Sequence, residues 1–124
     1  MDIRKDTSFL IKAEIIQISF GAYNLWLLFN NKITISTGTI LEYRQSDGMV
    51  YTWTGIDGRA PFSMNRLLKI PVSSAFVEDV GTLHIHFDNG DEIAFVAVDE
   101  PCESFMLSSP DTFQVINHLN QDCK

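Results

Sequence analysis

The sequence predicts a mainly β domain: an antiparallel β-sandwich or partly open barrel made of two similar β units, with one short helix or turn between them. Three observations carry this. In residues 80–96, Leu83, Ile85 and Phe87 alternate with Thr82, His84 and His86, the period of two that marks a half-buried strand. The Asp88-Asn89-Gly90-Asp91 segment follows, and its Asn and Gly accept the positive φ of a tight hairpin before Glu92 to Val98 returns. The pattern is echoed 58 residues earlier, where Leu25, Leu27, Phe29 and Asn31 stand in for Leu83, Ile85, Phe87 and Asn89.

Taken in order, Thr7 to Lys12 starts with a short turn, since Thr7 and Ser8 can cap while Phe9, Leu10 and Ile11 pack. Ala13 to Phe20 reads as a strand with Ile16 and Ile18 on one face. After a bend at Gly21-Ala22, Tyr23 to Phe29 is apolar on both faces, Trp26 and Leu28 lying opposite Leu25, Leu27 and Phe29. Such a strand is covered on both sides or presents a binding patch. Asn30-Asn31 turns the chain, and Lys32 to Ile40 returns. Leu41 to Gln45 and Met49 to Thr54 form a hairpin around Ser46-Asp47-Gly48, with Met49, Tyr51 and Trp53 on one face.

Gly55 to Pro61 is the clearest break between the halves. Phe62 to Lys69 is the best helical candidate, with Met64, Leu67 and Leu68 as its apolar stripe and Pro71 ending it. Pro71 to Asp79 is the next strand, then comes the hairpin at 83–98. Ser104 to Ser108 and Thr112 to Ile116 are two shorter strands, and Asn117 to Lys124 is a weakly apolar tail. At the offset of 58, Leu10 falls on Leu68 and Ile18 on Phe76; two extra residues in the second turn then place Ile33 on Ile93. The shared order of elements favours duplication over chance, with sub-repeats at about 8–54 and 62–116 of a single domain, 1–124.

Composition narrows the function. A hydrophobic content of 45% excludes a disordered chain, and no run of about 18 apolar residues spans a membrane. The start lacks a signal-peptide core, which points to a cytoplasmic protein. Two reduced thiols at Cys102 and Cys123 are the default there, and a bridge between them near the C-terminus is the alternative. Residues 70–124 hold ten acidic side chains against Lys124 alone, in a chain of net charge −7. That field repels nucleic acid and membrane phosphate and steers a basic protein partner. Asp88, Asp91, Glu92, Asp99, Glu100 and Glu103 crowd one hairpin and the loop after it, a candidate partner-binding rim, although an acidic surface also serves solubility alone. Trp26 and Trp53 join the rim as candidate anchors, Trp being both a common interface hot spot and an ordinary core residue.

Catalytic signals are missing. His84-x-His86 sets two imidazoles about 7 Å apart on one strand face, but no spacing supplies further ligands, so a metal there is the weak alternative to a solvated face. The Asp88–Glu92 segment lacks the closing glutamate of a calcium loop. No phosphate-binding glycine loop, nucleophile elbow or thiol–His pair is present. The expectation is a protein that is not an enzyme and carries no cofactor, existing as a monomer or weak dimer.

From Leu68 to Leu107 the chain resembles a group of small two-repeat bacterial β proteins, on the motif Leu83-His84-Ile85-His86-Phe87-Asp88-Asn89-Gly90 and the closing Glu103-Ser104-Phe105. Ile18 to Ile35 looks like the group's first unit, and Cys102 stands where an aromatic usually precedes the Glu-Ser pair. Some small acidic proteins similar to these are immunity proteins of contact-dependent growth inhibition and other polymorphic toxin systems. The resemblance implies a chain that binds and neutralises a cognate toxin, such as a basic nuclease, by blocking its active cleft. The alternative is a non-catalytic β scaffold or ligand-binding domain.

Overall fold

The computed structural model describes residue 3 and residues 6–55, 62–97, 105–110 and 113–116. Ten strands form two five-stranded antiparallel sheets. Five come from the first half: β1 (Ile15–Phe20), β2 (Leu25–Phe29), β3 (Thr34–Thr37), β4 (Ile40–Arg44) and β5 (Val50–Thr54). The second half supplies β6 (Val72–Val77), β7 (Leu83–Phe87), β8 (Glu92–Phe95), β9 (Phe105–Ser108) and β10 (Phe113–Ile116). Sheet I has the order β1-β2-β3-β9-β10, and sheet II the order β5-β4-β8-β7-β6. Each half therefore gives a three-stranded meander to one sheet and a hairpin to the other.

The exchange places one core between the sheets. Leu25, Leu27 and Phe29 of β2 and Leu83, Ile85 and Phe87 of β7 are buried, because alternation turns every second side chain inward. Phe95 of sheet II meets Phe105 of sheet I with ring centroids 5.5 Å apart, so burial on one sheet depends on the other. Neither meander can cover its own apolar face. This is a sandwich of two open sheets.

The halves correspond residue by residue. In the lead-in and first strand the offset is 57: Ala13 N donates to Leu10 O as Ile70 N does to Leu67 O, and Lys12 N donates to Val72 O as Lys69 N does to Ile15 O. Leu10 thus matches Leu67, not Leu68. Both edge strands carry a register shift at the matching place, Ile15/Gln17 and Val72/Ser74. Such bulges discourage edge-to-edge pairing. Ile18 pairs with Leu27 as Ala75 pairs with Ile85, so Ile18 matches Ala75, not Phe76. From β2 onward the offset is 58 and no extra residues enter: Phe29 N donates to Ile33 O as Phe87 N does to Asp91 O. The expected match of Ile33 with Ile93 is replaced by Ile33 with Asp91 and Ile35 with Ile93.

Two elements differ from expectation. The single return strand at Lys32 to Ile40 is two strands in different sheets, because Thr37-Gly38-Thr39 carries the chain across. The predicted helix is a 3-10 helix, Phe62–Leu67, mirroring the shorter one at Ser8–Leu10. Six residues give an α-helix too few hydrogen bonds to offset nucleation. Met64 and Leu67 are buried as expected, and Leu68 is partly so.

Lys32 occupies the turn position that the second half gives to Gly90, with φ of 71° against 89°. A side chain there pays for left-handed backbone that glycine adopts freely. Lys32→Gly should therefore stabilise the fold by about 1 kcal/mol, read as a higher denaturant midpoint. A lower midpoint would show that the Lys32 side chain contributes more than the strain costs.

Candidate functional site

The outer face of sheet II is where ionisable groups meet. Antiparallel register sets Phe76, His84, Ala94, Glu42 and Thr52 in one cross-strand row, and Ser74, His86, Glu92, Arg44 and Val50 in the next. His84 Nδ1 lies 2.7 Å from Glu92 Oε1, while its Nε2 meets Glu78 Oε1. His86 Nε2 stands 3.8 Å from the same Glu92 oxygen. Only the imidazolium form of His84 donates to both carboxylates at once. The exposed Phe76 ring stacks on His84 at 4.7 Å and on His86 at 6.1 Å. A recess of about 60 Å³ opens beside them, lined by Glu42, Arg44, His84, Glu92 and Ala94.

The structure divides the residues singled out in the sequence. Asp88 is exposed at the β7–β8 turn, and Glu92 lies on the sheet face. Asp91 is fully buried and belongs to no surface. Its Oδ2 accepts from Tyr43 Oη at 2.6 Å and its Oδ1 from Ser46 N at 2.9 Å. Asn89 contributes Nδ2 at 3.3 Å, and Arg66 stands 3.6 Å away. Asp99, Glu100, Glu103 and Cys102, like Cys123, lie outside the described residues. Ala97, just before them, bonds through its N to Thr82 Oγ1, at the end of β7 and β8 opposite the Asp88 turn. Asp88 and that exit are thus separated by the length of β8, roughly 13 Å.

Trp53 is 1% exposed and lies in the core, its indole N–H without a partner among the described residues. Trp26 is 36% exposed on the outer face of sheet I, where its ring covers Gly21. His84 and His86 find carboxylates, but among the described residues no group of three or more His, Cys, Asp or Glu is placed to hold a metal ion. As site residues, Glu42, Glu78 and Phe76 carry no signal in the sequence, where Phe76 figures only as the repeat partner of Ile18. Phe76 and Glu42 join the site through strand register, which sets Phe76 opposite His84 and Glu42 opposite Ala94, and Glu78, just past β6, joins it through His84 Nε2.

Sheet I offers a different outer face. At the positions of His84, His86, Glu92 and Glu42 it has Trp26, Leu28, Thr34 and Met106. Its inner end opens into a cavity of about 170 Å³ bounded by Asn24, Ser36, Thr37, Thr39, Phe105 and Met106. Among the described residues, no charged side chain lines it.

No helix among the described residues is long and apolar enough to cross a membrane. No protein-family model, curated protein or solved structure matches the chain.

Proposed function

We propose that this chain is a binding protein of the immunity type, which neutralises a basic bacterial toxin domain by covering its active cleft. The observation that supports the reading is the outer face of sheet II, where Glu78 and Glu92 bracket His84, Phe76 stacks on the same imidazole, and Glu42 lines one recess with Glu92 and the cation Arg44. A sheet face that carries an exposed aromatic ring and several carboxylates suits a partner rich in arginine, whose flat guanidinium stacks on rings and whose N–H groups reach carboxylate oxygens. The matching positions of sheet I are uncharged, so the fold does not require charge there. The role is inhibitory and cytoplasmic, and needs neither cofactor nor catalysis.

Electrostatic attraction acts mainly on the rate of encounter. Reversing Glu42, Glu78 and Glu92 together to Lys should slow association with a cognate basic toxin domain by at least about tenfold and flatten its salt dependence. Stopped-flow association across a range of ionic strength measures both. Reversal of Asp88 alone, at the far turn, should do less. A triple variant that associates at the wild-type rate at every salt concentration would refute the electrostatic reading.

A further inference from the structure

The β2–β3 and β7–β8 turns share one geometry and differ at a residue that matters chemically. Gly90 N donates to Phe87 O at 3.0 Å, as Lys32 N donates to Phe29 O at 3.0 Å. Asn89 Oδ1 accepts from Asp91 N at 3.0 Å, as Asn31 Oδ1 accepts from Ile33 N at 3.2 Å. Asn31 and Asn89 are thus equivalent asparagines, one followed by Lys32 and the other by Gly90. Asn89-Gly90 is the one Asn-Gly pair in the chain. Asparagine is thermolabile, because the backbone nitrogen that follows it can attack its side-chain carbonyl carbon. A β-carbon on the next residue hinders that attack, and glycine carries none.

We infer that Asn89 is a covalent modification site, deamidating spontaneously in chains whose β7–β8 hairpin has opened. The Gly90 nitrogen loses its proton and bonds to Asn89 Cγ. The Cγ–Nδ2 bond breaks, and ammonia leaves with that proton, giving a cyclic imide. Water then adds to one imide carbonyl and opens the ring to aspartate or isoaspartate, with no change of oxidation state. In the closed turn the Gly90 N–H is held by Phe87 O and the Asn89 side-chain carbonyl by Asp91 N. Attack therefore waits on opening, as amide hydrogen exchange does. The product does not reclose as before. Asn89 Nδ2 donates to Asp91 Oδ2 at 3.3 Å, and Asp91 is fully buried. Aspartate at 89 replaces this donor with a second negative charge beside the first, and isoaspartate also lengthens the turn backbone. Asp91 holds Tyr43 Oη and Ser46 N, so the damage passes to the β4–β5 turn. Opening permits modification, and modification favours opening. The first half escapes this, because Lys32 hinders the attack and Asn31 Nδ2 donates instead to Phe9 O at 2.8 Å.

The test incubates the full chain at mildly alkaline pH and body temperature, in buffer and in urea below the unfolding midpoint, and follows each asparagine by peptide mass spectrometry. Asn89 should change from amide to acid, with isoaspartate among the products, while Asn31 keeps its amide over the same interval. The rate at Asn89 should rise with urea by the same factor as hydrogen exchange at the Gly90 amide. In Lys32→Gly, Asn31 should convert as well. Asn89→Asp should lower Tm by roughly 5 °C, and the wild-type incubation decides the matter if that variant does not fold. The inference is overturned if Asn31 of the wild type converts as fast as Asn89, if Asn89 keeps its amide in urea where the Gly90 amide exchanges, if Lys32→Gly leaves Asn31 unreactive, or if Asn89→Asp melts at the wild-type temperature.

Discussion

Asp91→Ala should lower stability by about 3 kcal/mol, a fall in Tm of roughly 10 °C for a chain of this size. The carboxylate takes the place of the buried Ile33 of the other half, and it joins two turns that no strand connects. Tyr43 Oη at 2.6 Å and Ser46 N at 2.9 Å would both lose their acceptor. Arg66 adds little, being about half exposed at 3.6 Å. Tyr43→Phe alone should cost about 1–2 kcal/mol, because it strands a buried acceptor. Asp91→Ile made on the Tyr43→Phe background should recover part of the loss, since replacing both partners of a buried pair by apolar groups costs less than removing one. Additive losses in this double-mutant cycle would show that the two side chains are not coupled.

The same pair governs behaviour in alkali. Burial pushes the Tyr43 phenol well above its ordinary value, and the hydrogen bond to Asp91 and the negative charge beside it push the same way, against a smaller opposing effect of Arg66. The folded state thus keeps a proton that the unfolded chain releases near pH 10. Stability from this group is intact below about pH 10 and declines as pH rises beyond it. Denaturant unfolding above that pH should show the decline, reduced in Tyr43→Phe.

Gly55→Ala should be comparably damaging, at roughly 3 kcal/mol. A Cβ on Gly55 would stand 1.9 Å from the carbonyl oxygen of Gly38 and 3.0 Å from that of Tyr23. Both obstacles are backbone, so no rotamer relieves them. Gly55 N also donates to Thr39 O at 2.9 Å, tying the end of β5 to the segment that carries the chain from sheet I to sheet II. Displacing it would loosen the crossover itself. Thermal unfolding of Gly55→Ala beside Gly48→Ala separates the causes: Gly48 has nothing within 4 Å of its virtual Cβ, but a φ of 95°. If Gly55→Ala proves no worse than Gly48→Ala, close approach is not what that position requires.

The sequence by itself determined the alternating strands at the centre of each half, but not the full register of one half on the other. Alternation at Leu83, Ile85 and Phe87 and at Leu25, Leu27 and Phe29 follows from the backbone geometry of one strand, so it is visible without knowing any partner. The turns at Asn30-Asn31 and Asp88–Gly90 were equally plain, because the chemistry that permits them is local. Which strand pairs with which was not local. Ile33 to Ile40 carries no proline and no charge to announce that the chain changes sheets after Thr37, where Gly38 and Gly55 approach closely. Asp91 looked like one more surface acid, since nothing in its neighbours reveals that the hydroxyl of Tyr43, 48 residues away, will meet it in the core. The acidic face was hidden for the same reason: Glu42, Glu78 and Glu92 are far apart in the chain and become neighbours through register alone. Tertiary structure decided the surfaces, because a surface is made of residues that share a face, and faces are set by pairing between strands that the chain brings together from both halves.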